Sequence, residues 1–90
     1  MDFEWDKTKA DNNLRKHEVS FEEAATIFGD PLAITYDDPD HSSAENRFIT
    51  FGKSRFERFL IVSHTDRKGK IRIISARLMT KQERKIYEEG

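Results

Sequence analysis

Ninety residues, 36% of them hydrophobic, suffice for one domain with a modest core and leave no room for a second. The absence of cysteine and of any apolar run near the roughly 20 residues of a bilayer span argues against disulfide-braced secreted and membrane classes. Net charge is −1, too little for bulk attraction to polyanions, yet residues 1–46 carry −8 and residues 47–90 carry +7.

Phe3-Glu4-Trp5 alternates and reads as a short first strand. The start of the chain, Met1-Asp2-Phe3-Glu4-Trp5, lacks the basic-then-apolar pattern of a signal peptide, so the expected location is the cytoplasm. Asp6 caps a first helix running through Lys16, with Ala10, Leu14 and His17 along one side. Ser20 and Glu23 have the spacing of a capping box, and Val19 can staple onto Ala24, for a second helix reaching about Phe28 and ended by Gly29.

Pro31 opens an extended piece over residues 32–36, and residues 37–43 form a polar loop of turn formers. Asp37, Asp38, Asp40 and His41 in that loop could ligate a metal, but they match no calcium or zinc spacing, so no metal and no cofactor are expected. Three strands follow, over about 47–51, 58–64 and 70–78, joined by turns at 52–56 and 66–69. Phe59-Leu60-Ile61-Val62 is apolar at consecutive positions, which calls for cover on both faces. Thr80 and Glu83 make a capping box for a last helix over 81–89. The order implies an α+β fold: a small antiparallel sheet, made of a three-stranded meander plus one or more N-terminal strands, packed with two N-terminal helices and a C-terminal helix.

Several stretches carry a family likeness in this order. Phe3-Glu4-Trp5-Asp6 is followed by Lys9, Asn13, Lys16-His17 and Val19-Ser20-Phe21-Glu22-Glu23-Ala24. Then come Phe28-Gly29-Asp30-Pro31, Arg47, His64-Thr65 and Arg72-Ile73-Ile74-Ser75-Ala76-Arg77. Together they resemble the BrnT family of bacterial toxins over nearly the whole chain. Glu18 departs from it, since the family usually has Gly after the Lys-His pair. The resemblance implies a RelE-like fold, RNA cleavage that slows translation, and a BrnA-type antitoxin with a ribbon-helix-helix part. It also implies a toxin-antitoxin complex, expected to be 2:2, that binds operator DNA through the antitoxin.

Metal-free RNA cleavage needs a base for the 2′-hydroxyl, cations for the crowded phosphorane and an acid for the leaving oxygen. Arginine suits the second task through its permanently charged planar fork, and histidine the other two. The candidate catalytic residues are therefore Arg77, His64, Arg72 and His17, with Lys53, Arg55, Lys16 and Arg47 as RNA contacts. Arg72 and Arg77 are five apart, so a regular strand sends them to opposite faces. Either a bulge near Ser75 re-aims one, or only one belongs to the site. Arg77 is the preferred phosphorane stabiliser, and Arg72 serves as a phosphate grip or bridges to the acidic half. Trp5 and Tyr87 are assigned to packing. The alternative is a non-catalytic module that binds protein or RNA through the same cationic surface. A solitary DNA-binding regulator is disfavoured, because the second helix carries Glu22-Glu23 and no Lys or Arg.

Overall fold

In the computed structural model, which describes residues 1–38 and 46–90, a five-stranded sheet is flanked by helices. The elements are β1 (Asp2–Glu4), α1 (Lys7–His17), α2 (Phe21–Ala25), a 3-10 turn (Thr26–Gly29), β2 (Ile34–Asp37), β3 (Arg47–Lys53), β4 (Phe59–Arg67), β5 (Lys70–Leu78) and α3 (Lys81–Glu89). Spatial order is β1-β5-β4-β3-β2, and β1 runs parallel to β5 while every other pair is antiparallel. The sheet is thus mixed, which corrects the expectation of a purely antiparallel one. Everything between β1 and β5 serves as the long crossover that a parallel pair requires.

Local signals set most boundaries. Asp6 accepts from the Lys9 amide at 2.9 Å and starts α1. Lys68 and Gly69 both take positive φ, the pattern of a type I′ hairpin turn, so β4 and β5 extend to the two residues beside them. Thr80 and Glu83 complete a reciprocal capping box on α3. Ser20 and Glu23 complete only half of one. The Ser20 hydroxyl accepts from the Glu23 amide, but the Glu23 carboxylate instead receives Ser54 Oγ at 2.7 Å and the Arg58 guanidinium. Arg58, hydrogen-bonding Glu23 directly, holds that carboxyl below its ordinary range despite its burial.

The main core lies between α2 with its 3-10 extension and one face of the sheet. Val19, Phe21, Ala24 and Ile27 meet Leu60, Val62, Ile73 and Ala76 there, with Trp5 edge-on to Phe21. Gly52 is needed beneath this layer, since a Cβ would stand 2.8 Å from Ile27 Cβ. On the opposite face α3 makes a smaller cluster of Tyr87 with Phe51 and Ile61. Residues 60–62 of β4 are therefore covered on both faces, as their apolar run requires. Tyr87 also donates to Asp30 Oδ2 at 2.6 Å, and the same oxygen accepts from the Lys53 amide at 2.8 Å. Burial and then the Asp30 contact push the Tyr87 hydroxyl up to about 12.

α1 turns a polar side chain inward. Asn13 is buried, and its amide bonds Ala76 in both directions, Nδ2 to O at 2.8 Å and N to Oδ1 at 3.0 Å, while also donating to Val19 O. It thereby satisfies the edge of β5 beyond the stretch paired with β1. Leu14, expected on the inner stripe with Ala10 and His17, is half exposed instead. The helix ends on Glu18 at φ 57°, ψ 32°, the left-handed region where a glycine fits best.

Two substitutions test this account by urea unfolding. Asn13→Ala strands both polar groups of Ala76 and is expected to cost about 2–4 kcal/mol; a loss below about 0.5 kcal/mol contradicts the edge role. Glu18→Gly relieves the left-handed backbone and is expected to stabilise by about 0.5–1 kcal/mol, whereas destabilisation contradicts it.

Candidate functional site

The pairing of β4 with β5 contains one irregularity. Ser63 lies opposite Ser75 and His64 opposite Ile73, so Ile74 has no partner on β4. This one extra residue inverts the alternation along β5. Arg72 pairs with Thr65, Ser75 with Ser63 and Arg77 with Ile61. Residues 61, 63 and 65 share a face, so Arg72, Ser75 and Arg77 share it too, despite their odd spacing. Of the two alternatives left by the odd spacing, the bulge is the one present, at Ile74, one residue before Ser75.

Cross-strand rows describe this face. One row runs Glu4, Arg72, Thr65, Arg47 across β1, β5, β4 and β3. The next runs Ser75, Ser63, Ile49, Tyr36, and a third runs Arg77, Ile61, Phe51, Ile34. Tyr87 of α3, together with Met79 just after β5, packs over Phe51 and Ile61 of the third row. The first two rows form a floor with half-buried hydroxyls of Ser63 and Ser75 at its middle. Arg47 and Arg72 stand at one end and Arg77 at the other, four strand residues away, or about 13 Å.

Each β5 arginine is oriented by a carboxylate. Arg77 grips Glu83 with two bonds, Nη1 to Oε1 and Nη2 to Oε2, both 2.7 Å. Glu83 also accepts from the Thr80 amide, so the helix cap and the strand arginine share one anchor. Arg77 holds the Glu83 carboxyl down at about 2, which leaves it a fixed anion rather than a proton acceptor near neutrality. Arg72 Nη1 donates to Glu4 Oε2 at 2.8 Å, joining the basic half of the chain to the acidic half. Arg47 makes no ion pair among the described residues. Arg47, Thr65, Arg67, Arg72 and Ile74 also line a pocket of about 90 Å³ that Lys9 of α1 closes from the side.

His64 does not join this group. It stands opposite Ile73 and Phe48, on the helix-covered face, because the inversion at Ile74 moves Arg72 but not β4. Its ring is buried, stacked on Phe48 and edge-on to Phe28, with Nε2 hydrogen-bonded to Thr50 Oγ1 at 2.7 Å. That Thr50 oxygen also meets Thr35 Oγ1, and His64 Nδ1 is buried without a partner. The expectation that His64 and the arginines converge on one pocket is therefore corrected: strand parity separates them.

The other expected contacts are scattered. His17 is half-buried at the end of α1, about 12 Å along the helix from Lys9. Lys16 is exposed beside it. Arg55 lies in the turn after β3 with its guanidinium over the Phe56 ring, and Lys53 Nζ stands over Phe59 near α3. Sequence reasoning missed Lys9, Thr65 and Arg67 as pocket-lining residues. The odd interval from Arg72 to Arg77 was the available signal for the face, but no local pattern foretells the approach of Lys9 to it. Of the loop residues considered for metal binding, Asp40 and His41 lie outside the described residues, and among the described ones no cluster of ligating side chains occurs.

Comparison with known proteins gives a family match and a likeness to solved structures. A family model described as "ribonuclease toxin, BrnT, of type II toxin-antitoxin system" matches residues 5–83. The crystal structure of the Brucella abortus ribonuclease toxin BrnT is similar in fold, with a TM-score of 0.66 at 19% identity, over 90% of this chain and 99% of that one. No curated protein sequence matches the chain.

Burial pulls the His64 ring below its ordinary value of 6.5, so the folded protein binds that proton more weakly than the unfolded chain. The unfolded state then takes up more protons below about pH 6.5, and stability falls as pH drops through that range. The urea midpoint is expected to fall between about pH 7 and about pH 5, with the His64 ring resonances titrating below 6.5. A ring that titrates at 6.5 or higher contradicts the buried, neutral assignment.

Proposed function

Because the chain belongs to the BrnT family of ribonuclease toxins of type II toxin-antitoxin systems, we propose that it cleaves RNA without a metal ion on the open half of its sheet. One observation carries this reading: the unpaired Ile74 brings Arg72, Ser75 and Arg77 onto one face, in line with Arg47. Arg47 and Arg72 grip the RNA backbone, and Arg77 stabilises charge developing on the phosphorane. Glu83 fixes the Arg77 plane before substrate arrives, so little reorganisation remains for the reaction itself.

The residues on this face support charge stabilisation by guanidinium rather than by a cation held on carboxylates. Glu4 and Glu83 each already bind an arginine. Among the described residues no imidazole faces the floor, so the reading assigns neither His64 nor His17 the proton transfer. It rests on positioning and on electrostatic stabilisation of the transition state. Lys16, Lys53 and Arg55 then contribute only long-range attraction.

The antitoxin partner is of the BrnA type, with a ribbon-helix-helix part, and the complex holds two copies of each and binds operator DNA through the antitoxin. Family membership and the cationic face support that assignment. The site of action is the cytoplasm; among the described residues no helix is long and apolar enough to cross a membrane.

The test is cleavage of RNA in excess EDTA, with and without ribosomes. Wild-type protein is expected to cut, and Arg77→Ala to lose roughly 10²–10³-fold in rate with the fold preserved by circular dichroism. RNA left intact under every condition overturns the enzymatic reading and leaves a binding module, while full activity in Arg77→Ala removes this residue from the site.

A further inference from the structure

The second row of the floor ends on an aromatic ring. Tyr36 of β2 pairs with Ile49, and the row continues through Ser63 to Ser75. β2 is the edge strand on that side of the sheet. Tyr36 is 45% exposed, whereas Phe3, Trp5 and Phe28 pack against the main core. A T-shaped contact with Phe51, ring centroids 5.5 Å apart and planes at 74°, steadies the Tyr36 ring. The acidic residues that follow do not shield it: Asp37 alternates to the other face, and Asp38 is buried.

The cation beside this ring selects what covers it. Arg47 precedes Ile49 by two residues on β3, so it is a diagonal neighbour of Tyr36 on the same face, about 7–8 Å away. Arg47 makes no ion pair among the described residues, which leaves its guanidinium to a phosphate. A nucleotide spans a comparable interval from phosphate to base, so one nucleotide can set its phosphate on Arg47 and its base on Tyr36. Every base has a π-face, so such a platform is tolerant of sequence. Within a duplex those faces are covered by neighbouring pairs, so the ring selects single-stranded RNA. An apolar protein side chain could also cover the ring, but a cation next to it favours a polyanion that carries a base at every phosphate.

We propose that Tyr36 is a base-stacking platform for single-stranded RNA, holding the base of a nucleotide whose phosphate rests on Arg47. This rests on the sheet face being the RNA surface. Tyr36 lies three strand spacings from β5, roughly 14 Å. The stacked base therefore belongs to a nucleotide other than the one cut at Arg77. The ring fixes the path of the strand across the floor, from the β5 arginines to the β2 edge, without specifying its sequence.

The test uses an RNA decamer 2′-O-methylated throughout so that it cannot be cleaved, its duplex with a complementary strand, and an abasic decamer of the same backbone. Binding is read by fluorescence anisotropy at low salt. Tyr36→Ala is expected to weaken binding of the single strand roughly tenfold, with the duplex and the abasic strand bound as by wild type. Tyr36→Phe and Tyr36→Trp should restore the single-strand affinity, and Tyr36→Leu, apolar but without a π-face, should not. In Tyr36→Trp the added indole emission should be quenched by the single strand and not by the abasic one. Arg47→Gln should weaken all three ligands, because it removes a phosphate contact. Unchanged single-strand affinity in Tyr36→Ala overturns the platform and leaves the ring to a protein partner. Rescue by leucine as complete as by phenylalanine overturns stacking as well. Binding of none of the three ligands by the wild type overturns the sheet-face reading itself. Cleavage of unmodified RNA in EDTA is scored separately, so loss of the platform and loss of the ribonuclease reading remain distinct results.

Discussion

A single residue without a partner, Ile74 in β5, decides what the sheet presents to solvent. Strand side chains alternate, so inserting one residue reverses the faces of everything beyond it relative to the neighbouring strand. On the near side of the bulge Ile73 stays in the core, and on the far side Ala76 returns to it, although they are three apart. The same reversal places Arg72 and Arg77 on the opposite face together. Without it, keeping Ala76 inside would turn Arg72 toward the core and Ile73 toward solvent. The cationic face and the hydrophobic core thus depend on one irregular position.

The carboxylates complete that arrangement. Three of the protein's ion pairs link an arginine of the second half of the chain to a glutamate in another element: Glu4 in β1, Glu23 in α2 and Glu83 in α3. Two of these glutamates belong to the acidic first half of the chain and bind Arg58 and Arg72 of the basic second half. The strong charge division along the sequence is therefore partly consumed in folding. What remains exposed is more local: Arg47 with the Lys9 pocket at one end of the floor, and the Arg77–Glu83 fork at the other. Pairing of this kind costs little when exposed, and it fixes the geometry of groups that must meet a phosphate.

Much of the fold could be read from local chemistry. Asp6, Thr80 and the Lys68-Gly69 turn marked their elements, and the unbroken run at residues 59–62 foretold cover on both faces. Long-range relations were less legible. The parallel pairing of β1 could not be inferred from three residues, and Glu23 gave up its expected cap for Ser54 and Arg58, more than thirty positions away. The face of His64 followed from the register of β3 and β4, which no local pattern encodes. Asn13 looked like an ordinary polar helix residue until the edge of β5 supplied its partners. The arginines were recognisable as candidates by type, and their grouping was legible only as a question of parity that the bulge resolves.

The central claim, that RNA lies on the half of the sheet left open by α3, is tested most directly by mapping backbone amide shifts during titration with an uncleavable RNA. The account predicts that the largest perturbations fall on residues 47, 63, 65, 72, 75 and 77, with those around His64, Phe28 and Trp5 nearly unmoved. Perturbations concentrated on α1, α2 and the Trp5 side, with the floor silent, would contradict it.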